Sequence, residues 1–306
     1  MKTYLLLSAC VLGCLNYSLH ADPTVNVTQG EETDLAASYG TSDLLQGLIA
    51  TELSGDLGWH PVNTDPADQL AAFTDGEGMR ASGLTGLLAD FPGAGNPAKR
   101  LQYALPAPAE VTELRVFTGN NGRDGRVFHT YTVRFSTDAG QTFVAPIYVQ
   151  SHASGTVNNS SVNNWRVALS QLTDTTGRLA SRATHVQLDF YSVDNTGGEM
   201  RDPFDGGNAF TTTDDGLNAA FVSPLVWEID LLGKYSQPIL TATRAGGLLN
   251  LSWIGLTNGA VIQATTNLTA PVWSDVLPQP VIISEGNSNR AVVAIGPGEK
   301  YLRVRY

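Results

Sequence analysis

Apolar and polar side chains alternate along several segments between residues 100 and 231. In the segment YTVRFS at 131–136, for example, Tyr131, Val133 and Phe135 occupy every second position. A period of two predicts a β-strand that buries one face, and the Gly-, Asn- and Asp-rich stretches between such segments predict turns. Strands are predicted in this way at 101–105, 111–118, 129–136, 142–150, 165–169, 185–192 and 220–231.

Helical patterns are rare in the same part of the chain. Only two short segments, 42–53 and 170–178, are predicted to be helical. Many short strands separated by turns, with few helices, are typical of a sandwich or jelly roll. The predicted fold class is therefore all-β, with a jelly-roll β-sandwich as the larger unit.

The strand pattern is interrupted at GKYSQP, residues 233–238, and then starts again. Five or six short strands are predicted beyond it, at 239–244, 248–254, 260–265, 281–284, 291–295 and 301–306. This number of strands in so short a segment fits a small immunoglobulin- or fibronectin-like β-sandwich. The predicted division is a signal at 1–21, an N-terminal segment at 22–39, a jelly roll at 40–233, a linker at 234–237 and a small β-sandwich at 238–306.

The N-terminus has the pattern of a secretory signal. Lys2 is followed by the apolar run YLLLSACVLGCL at 4–15 and then by the small residue Ala21, after which cleavage is predicted. The run is too short for a membrane span. Both cysteines, Cys10 and Cys14, lie within this signal. The mature chain is thus predicted to be secreted or periplasmic and to lack disulfides, cysteine nucleophiles and cysteine-bound zinc.

We expect the exported protein to begin at Asp22. Intact-mass measurement or N-terminal sequencing of the exported protein checks this cleavage. The sequence leaves one alternative open, in which Cys14 is lipidated and becomes the first residue. A mass that corresponds to an acylated Cys14 would contradict cleavage after Ala21 and would place the protein on a membrane surface.

The chain is acidic and has no basic cluster. It contains 18 Lys and Arg residues against 29 Asp and Glu residues, which gives a formal net charge of −11. Nucleic acids and anionic membrane surfaces are bound through clustered cations. Neither is therefore predicted as a partner, and no apolar run after the signal reaches the length of a transmembrane segment.

Three segments resemble, in the correct order, the motifs of one family. The residues FTDG at 73–76, YTVRFSTDAGQTF at 131–143 and VWEID at 226–230 are similar to the opening loop, a hairpin and a late strand of discoidin-like, galactose-binding-like jelly rolls of the coagulation-factor type C group. The resemblance spans residues 40–233. The C-terminal unit, with LSW at 251–253 and YLRV at 301–304, resembles a small fibronectin-like β-module of exported bacterial proteins.

This resemblance implies a structural calcium ion. In these families the Asp of the opening loop and the Glu of the late strand lie together and often hold calcium with backbone carbonyls. The implied metal ligands are Asp75 and Glu228, and Gly76 would let the loop curl around the ion. The alternative is that Asp75 caps a turn and Glu228 is an ordinary strand residue.

The loop GNNGRDGR at 119–126 is too long and too polar for a minimal hairpin. Long loops on a rigid sheet often carry binding residues. Jelly rolls of the kind that this chain resembles often bind sugars, so the resemblance implies a glycan as the ligand. Sugars need polar donors such as Arg and Asn beside an aromatic face. The predicted ligand-binding residues are Asn120, Arg123, Arg126, Trp165 and, as the second aromatic choice, Trp59. Phe91 and Phe204 are further loop aromatics, and packing is the alternative role of each aromatic residue.

No catalytic motif is recognised. The mature chain has no HExxH, no GxSxG, no phosphate-binding loop and no dinucleotide-binding glycine motif. The predicted function is non-catalytic glycan recognition. Two alternatives stay open, namely a structural or adhesive surface component that binds a protein partner, and a glycoside hydrolase whose two carboxylates lie far apart in sequence.

Overall fold

The computed structural model describes residues 22–31, 35, 38–40, 43–119, 125–155, 167–193, 200–236, 240–254, 260–285, 288–294 and 301–305. These residues form fifteen β-strands and a few short 3-10 helices, so the predicted all-β class is confirmed. Both predicted helices are wrong. Residues 170–174 continue a strand, and residues 43–50 form bends, turns and irregular backbone before a two-residue strand.

The first eight strands form one antiparallel sheet. They are β1 (Pro23–Gly30), β2 (Thr51–Glu52), β3 (Lys99–Gly119), β4 (Thr130–Ser136), β5 (Ile147–Gln150), β6 (Val167–Asp174), β7 (Ala180–Tyr191) and β8 (Val226–Tyr235). The strand order is β1-β6-β3-β7-β4-β5, and β2 and β8 also pair with β3. The two predicted strands at 101–105 and 111–118 are thus one continuous strand.

Strand β3 is long enough to belong to two layers. Residues 99–111 pair with β7, with a register shift between Ala104 and Ala109, and residues 109–118 pair with β8. Pro106 and Pro108 lie at this shift, where proline cannot donate a ladder hydrogen bond. The strands β2, β7, β4 and β5 therefore extend one layer, and β8, β6 and β1 extend the other.

The core fills the space between these layers. It contains Tyr103 and Tyr131 from the first layer and Leu114 and Ile229 from the second, all fully buried. The apolar positions of the alternating segment at 131–136 all lie in this core, as the period of two predicts. Side chains alternate along a strand, so Glu228 and Asp230 lie on the opposite side of β8 from Ile229. There they contact the loops of Gly76 and Gly40.

The remaining strands form two smaller sheets. They are β9 (Thr241–Ala245), β10 (Leu248–Ile254), β11 (Val261–Thr265), β12 (Ser274–Asp275), β13 (Ile283–Glu285), β14 (Ser288–Ala294) and β15 (Tyr301–Arg305). Their orders are β13-β14-β10-β9 and β12-β11-β15. Leu251, Trp253, Ile262, Ala291 and Val293 form their shared core.

The strand boundaries differ from the predicted domain boundaries. β1 lies inside the predicted N-terminal segment and pairs with β6, and β8 extends to Tyr235, inside the predicted linker. Among the described strands, β1–β8 pair only with one another, and so do β9–β15. The division into two folding units stays a prediction. No helix among the described residues has the length and apolar character needed to cross a membrane.

Candidate functional site

The opening loop that the resemblance points to, residues 73–86, lies against β8. The Gly76 N–H donates a 2.8 Å hydrogen bond to Glu228 Oε2, although the two residues are 152 positions apart. The loop can approach so closely because Gly86 has φ +61° and no side chain, and a Cβ there would lie 1.7 Å from the Val226 carbonyl oxygen. The structure therefore brings the loop of Asp75 to Glu228.

The Asp75 carboxylate is already paired within this loop. Its Oδ2 accepts a 2.6 Å hydrogen bond from Arg80 Nη2, and its Oδ1 accepts the Glu77 N–H at 2.9 Å. Of the four carboxylate oxygens of Asp75 and Glu228, only Glu228 Oε1 lacks a hydrogen-bond partner. Calcium takes about six to eight oxygen ligands. In this arrangement the residues do not fit the ion.

Within the part of the chain that the structure describes, no group of three or more His, Cys, Asp or Glu side chains could hold a metal ion. The calcium ion stays a prediction from the sequence.

Glu228 and Asp230 form a buried acidic pair on β8, and neither has exposed surface. Burial and, to a smaller extent, the nearby Asp230 together raise the pKa of Glu228 to about 9. Burial also raises the pKa of Asp230 to about 7, against the lowering effect of a 2.7 Å hydrogen bond from the Gly40 N–H. In the absence of a cation, burial therefore favours the protonated form of Glu228 at neutral pH.

Of the residues predicted to bind a glycan, Asn120, Arg123 and Trp165 lie outside the described residues. Arg126 lies at the end of the same loop and is half-buried. Its Nη1 and Nη2 donate hydrogen bonds of 2.9 and 2.8 Å to the two carboxylate oxygens of Asp90. Arg126 Nη1 also donates to the Ser223 carbonyl oxygen at 2.9 Å. Arg126 thus fastens the predicted loop to two neighbouring loops.

The Asp90 carboxylate is held ionised by these contacts. Burial alone would raise its pKa, but the hydrogen bonds from Arg126 and from the Ser223 N–H hold it below the usual value. His60 Nε2 lies 3.6 Å from the same carboxylate. A fixed bidentate ion pair of this kind gives the loop end a defined shape.

Phe91, the residue after Asp90, is the most exposed of the aromatic rings at this loop end, with 72% of its surface accessible. Its ring stacks on Phe221, with centroids 5.4 Å apart and planes inclined by 7°. The Phe91 backbone has φ +61°, a left-handed conformation that is costly for a bulky residue and is found at functional sites. A 2.9 Å hydrogen bond from the Phe91 N–H to the Phe221 carbonyl oxygen holds it there.

We call Phe91 and Phe221 the aromatic platform. Sequence reasoning included Phe91 among the loop aromatics but missed Phe221, because it assigned residues 220–225 to a strand that starts only at Val226. An aromatic residue directly before Pro92 and Gly93 was the available signal, since such a sequence predicts an exposed turn.

Trp59, the second aromatic residue predicted to bind the glycan, lies against Phe73 and Lys99. It is half-buried, its ring lies 5.5 Å from that of Phe73, and Lys99 Nζ lies 4.0 Å from its ring centroid. Lys99 has no exposed surface and pairs with Glu52 and Asp56. One face of Trp59 is thus covered by a cation of the protein itself, so the structure uses this residue for packing.

Phe204 is also engaged in packing, in edge contact with Phe210 at 5.9 Å. The acidic stretch around it is internally bonded, since Asp202 accepts a hydrogen bond from Asn208 and its N–H donates to Asp215. This agrees with a loop whose polar groups satisfy one another.

No protein-family model matches the chain, and no curated protein matches it. The likeness to discoidin-like jelly rolls therefore rests on the sequence motifs alone.

Proposed function

We propose that this chain is an exported, non-catalytic binding protein that recognises a glycan on the aromatic platform of Phe91 and Phe221. The observation that carries the proposal is the exposed Phe91 ring, which is held on a strained backbone and stacked on a second ring. An exposed aromatic face is what the C–H groups of a sugar ring pack against, and strain that the surrounding contacts maintain is typical of binding sites.

The position of the platform supports a sugar ligand. Asp90 precedes Phe91 and is bonded to Arg126, the last residue of the loop that was predicted to bind glycan. The end of the predicted loop at Arg126 is therefore connected to the platform through Asp90. In this proposal the platform takes the apolar face of the sugar, and Asn120 and Arg123 supply hydrogen bonds to its hydroxyl groups.

The charge of the chain favours a neutral glycan. With a net charge of −11, the protein repels anionic polymers at long range. Arg126, which bonds the residue before Phe91, is neutralised by Asp90. Binding should therefore depend little on ionic strength.

A glycan array tests the proposal. The mature wild-type protein should bind a subset of neutral glycans, and Phe91→Ala should lose these signals because it removes the stacking face. Tyr301→Ala, which removes another partly exposed aromatic ring far along the chain, is the control and should bind like the wild type. Flat binding of the wild type across the array would reject glycan recognition.

A protein partner is the second candidate, and one observation favours it. Six apolar side chains between residues 268 and 292 are 50–83% exposed, namely Leu268, Val272, Leu277, Val281, Ile283 and Val292. Exposed apolar surface of this kind can attach a module to a neighbouring protein. If attachment is the main function, replacing Leu277 and Val281 by Asp should release the protein from the cell surface and leave its glycan signals unchanged.

A further inference from the structure

We propose that Arg80 takes the place of the implied calcium ion, so that its guanidinium group and the Gly76 N–H close the loop at 73–86 over β8 without any metal. This fixation of the loop does not depend on the ligand of the aromatic platform.

The first reason is that the acidic side chains of this loop converge on Arg80. Arg80 Nη2 lies 2.6 Å from Asp75 Oδ2 and 3.6 Å from Glu77 Oε2. A calcium ion at Asp75 would have to compete with a guanidinium that is already bonded to it. Guanidinium and calcium both neutralise carboxylates, but the guanidinium does so through N–H donors and needs no further oxygen ligands.

The second reason is that Arg80 is held at this position by the base of the loop. The Arg80 N–H donates a 2.8 Å hydrogen bond to Thr85 Oγ1, and Thr85 Oγ1 in turn donates to Asp68 Oδ1 at 3.2 Å. Thr85 and Asp68 are both buried. The backbone of Arg80 is therefore fixed by buried groups, which directs its side chain towards Asp75.

The third reason is that the loop is attached to β8 without a metal. Calcium in such a position would join the loop to Glu228. In this chain the Gly76 N–H makes that connection by bonding Glu228 Oε2 directly. An ion here would neutralise Asp75 and attach the loop to β8. In this chain Arg80 neutralises Asp75, and the Gly76 N–H attaches the loop to β8.

Thermal unfolding of the mature full-length protein tests this assignment. The wild-type Tm should be the same in millimolar calcium and in excess chelator. Arg80→Gln should lower the Tm by about 4 °C or more in both solutions, because it leaves the Asp75 carboxylate without its charged partner. Arg80→Lys keeps the charge and should recover part of this loss. Arg178→Gln removes a more exposed arginine, 3.5 Å from Glu110, and should leave the Tm unchanged.

Calorimetric titration with calcium gives a second readout that does not depend on stability. The wild type should show no stoichiometric binding. A wild-type Tm that falls in chelator, stoichiometric calcium binding that Asp75→Ala removes, or an Arg80→Gln protein that melts like the wild type would each overturn the inference.

Discussion

Replacing the buried Lys99 by methionine should destabilise the protein by about 3–5 kcal/mol. Lys99 Nζ is fully buried at the start of β3, where it pairs with Glu52 and lies 3.0 Å from Asp56. The Asp56 side chain is only 8% exposed. Methionine fills most of the same volume but removes the charge, and the carboxylate of Asp56 is then left buried without a cation, which costs more than the pair itself contributed.

Urea or thermal unfolding measures this loss, and the Tm should fall by at least about 6 °C. Lys234→Met is the matched control, because Lys234 also lies on a strand and 3.4 Å from a glutamate, yet its side chain is 76% exposed. The control should change the stability by less than about 1 kcal/mol. Adding Asp56→Asn to Lys99→Met should restore part of the stability. Equal stability of Lys99→Met and the wild type would show that Lys99 does not stabilise the protein by pairing with Glu52 and Asp56.

Replacing Glu228 by glutamine should make the protein less sensitive to alkaline pH. Burial, helped by Asp230, raises the pKa of Glu228 from its ordinary 4.5 to about 9 in the folded state. Between these two values the folded state holds a proton that the unfolded state has lost. The free energy of unfolding therefore falls as the pH rises through this window, by about 1.4 kcal/mol for each pH unit.

Glutamine carries no proton to lose and can still accept the Gly76 N–H. The free energy of unfolding, measured in urea between pH 5 and pH 9, should thus fall more steeply for the wild type than for Glu228→Gln, and the variant should be the more stable protein at pH 9. Glu77→Gln changes an exposed carboxylate in the same loop and should follow the wild type. Parallel curves for the wild type and Glu228→Gln would show that Glu228 does not carry this proton.

The fold class could be predicted because burial of one strand face leaves a period-two pattern. This holds for residues 131–136 and for β10, whose predicted bounds at 248–254 agree with the structure. The helix predicted at 170–178 was wrong because β6 pairs with β1 on one edge and with β3 on the other. The local sequence carries no information about these distant partners. Such long-range pairing overrides local preference.

The candidate sites were predictable to different degrees. The approach of the Asp75 loop to Glu228 followed from the ordered motifs, but the pairing of Asp75 with Arg80 did not, since it depends on the path of the loop. Phe91 could be selected as a loop aromatic. Its exposure and its stacking on Phe221 could not, because the two residues meet only after the chain has passed through most of the sandwich.

Calorimetric titration with the glycan that gives the strongest array signal tests the central claim most directly. Removing a stacked aromatic anchor typically costs about 2 kcal/mol or more, which corresponds to about 30-fold weaker binding. Phe91→Ala should therefore bind the glycan at least about 30-fold more weakly than the wild type, with an unchanged melting temperature, and Tyr301→Ala should bind it with wild-type affinity. Wild-type affinity in Phe91→Ala would contradict a binding site on the aromatic platform.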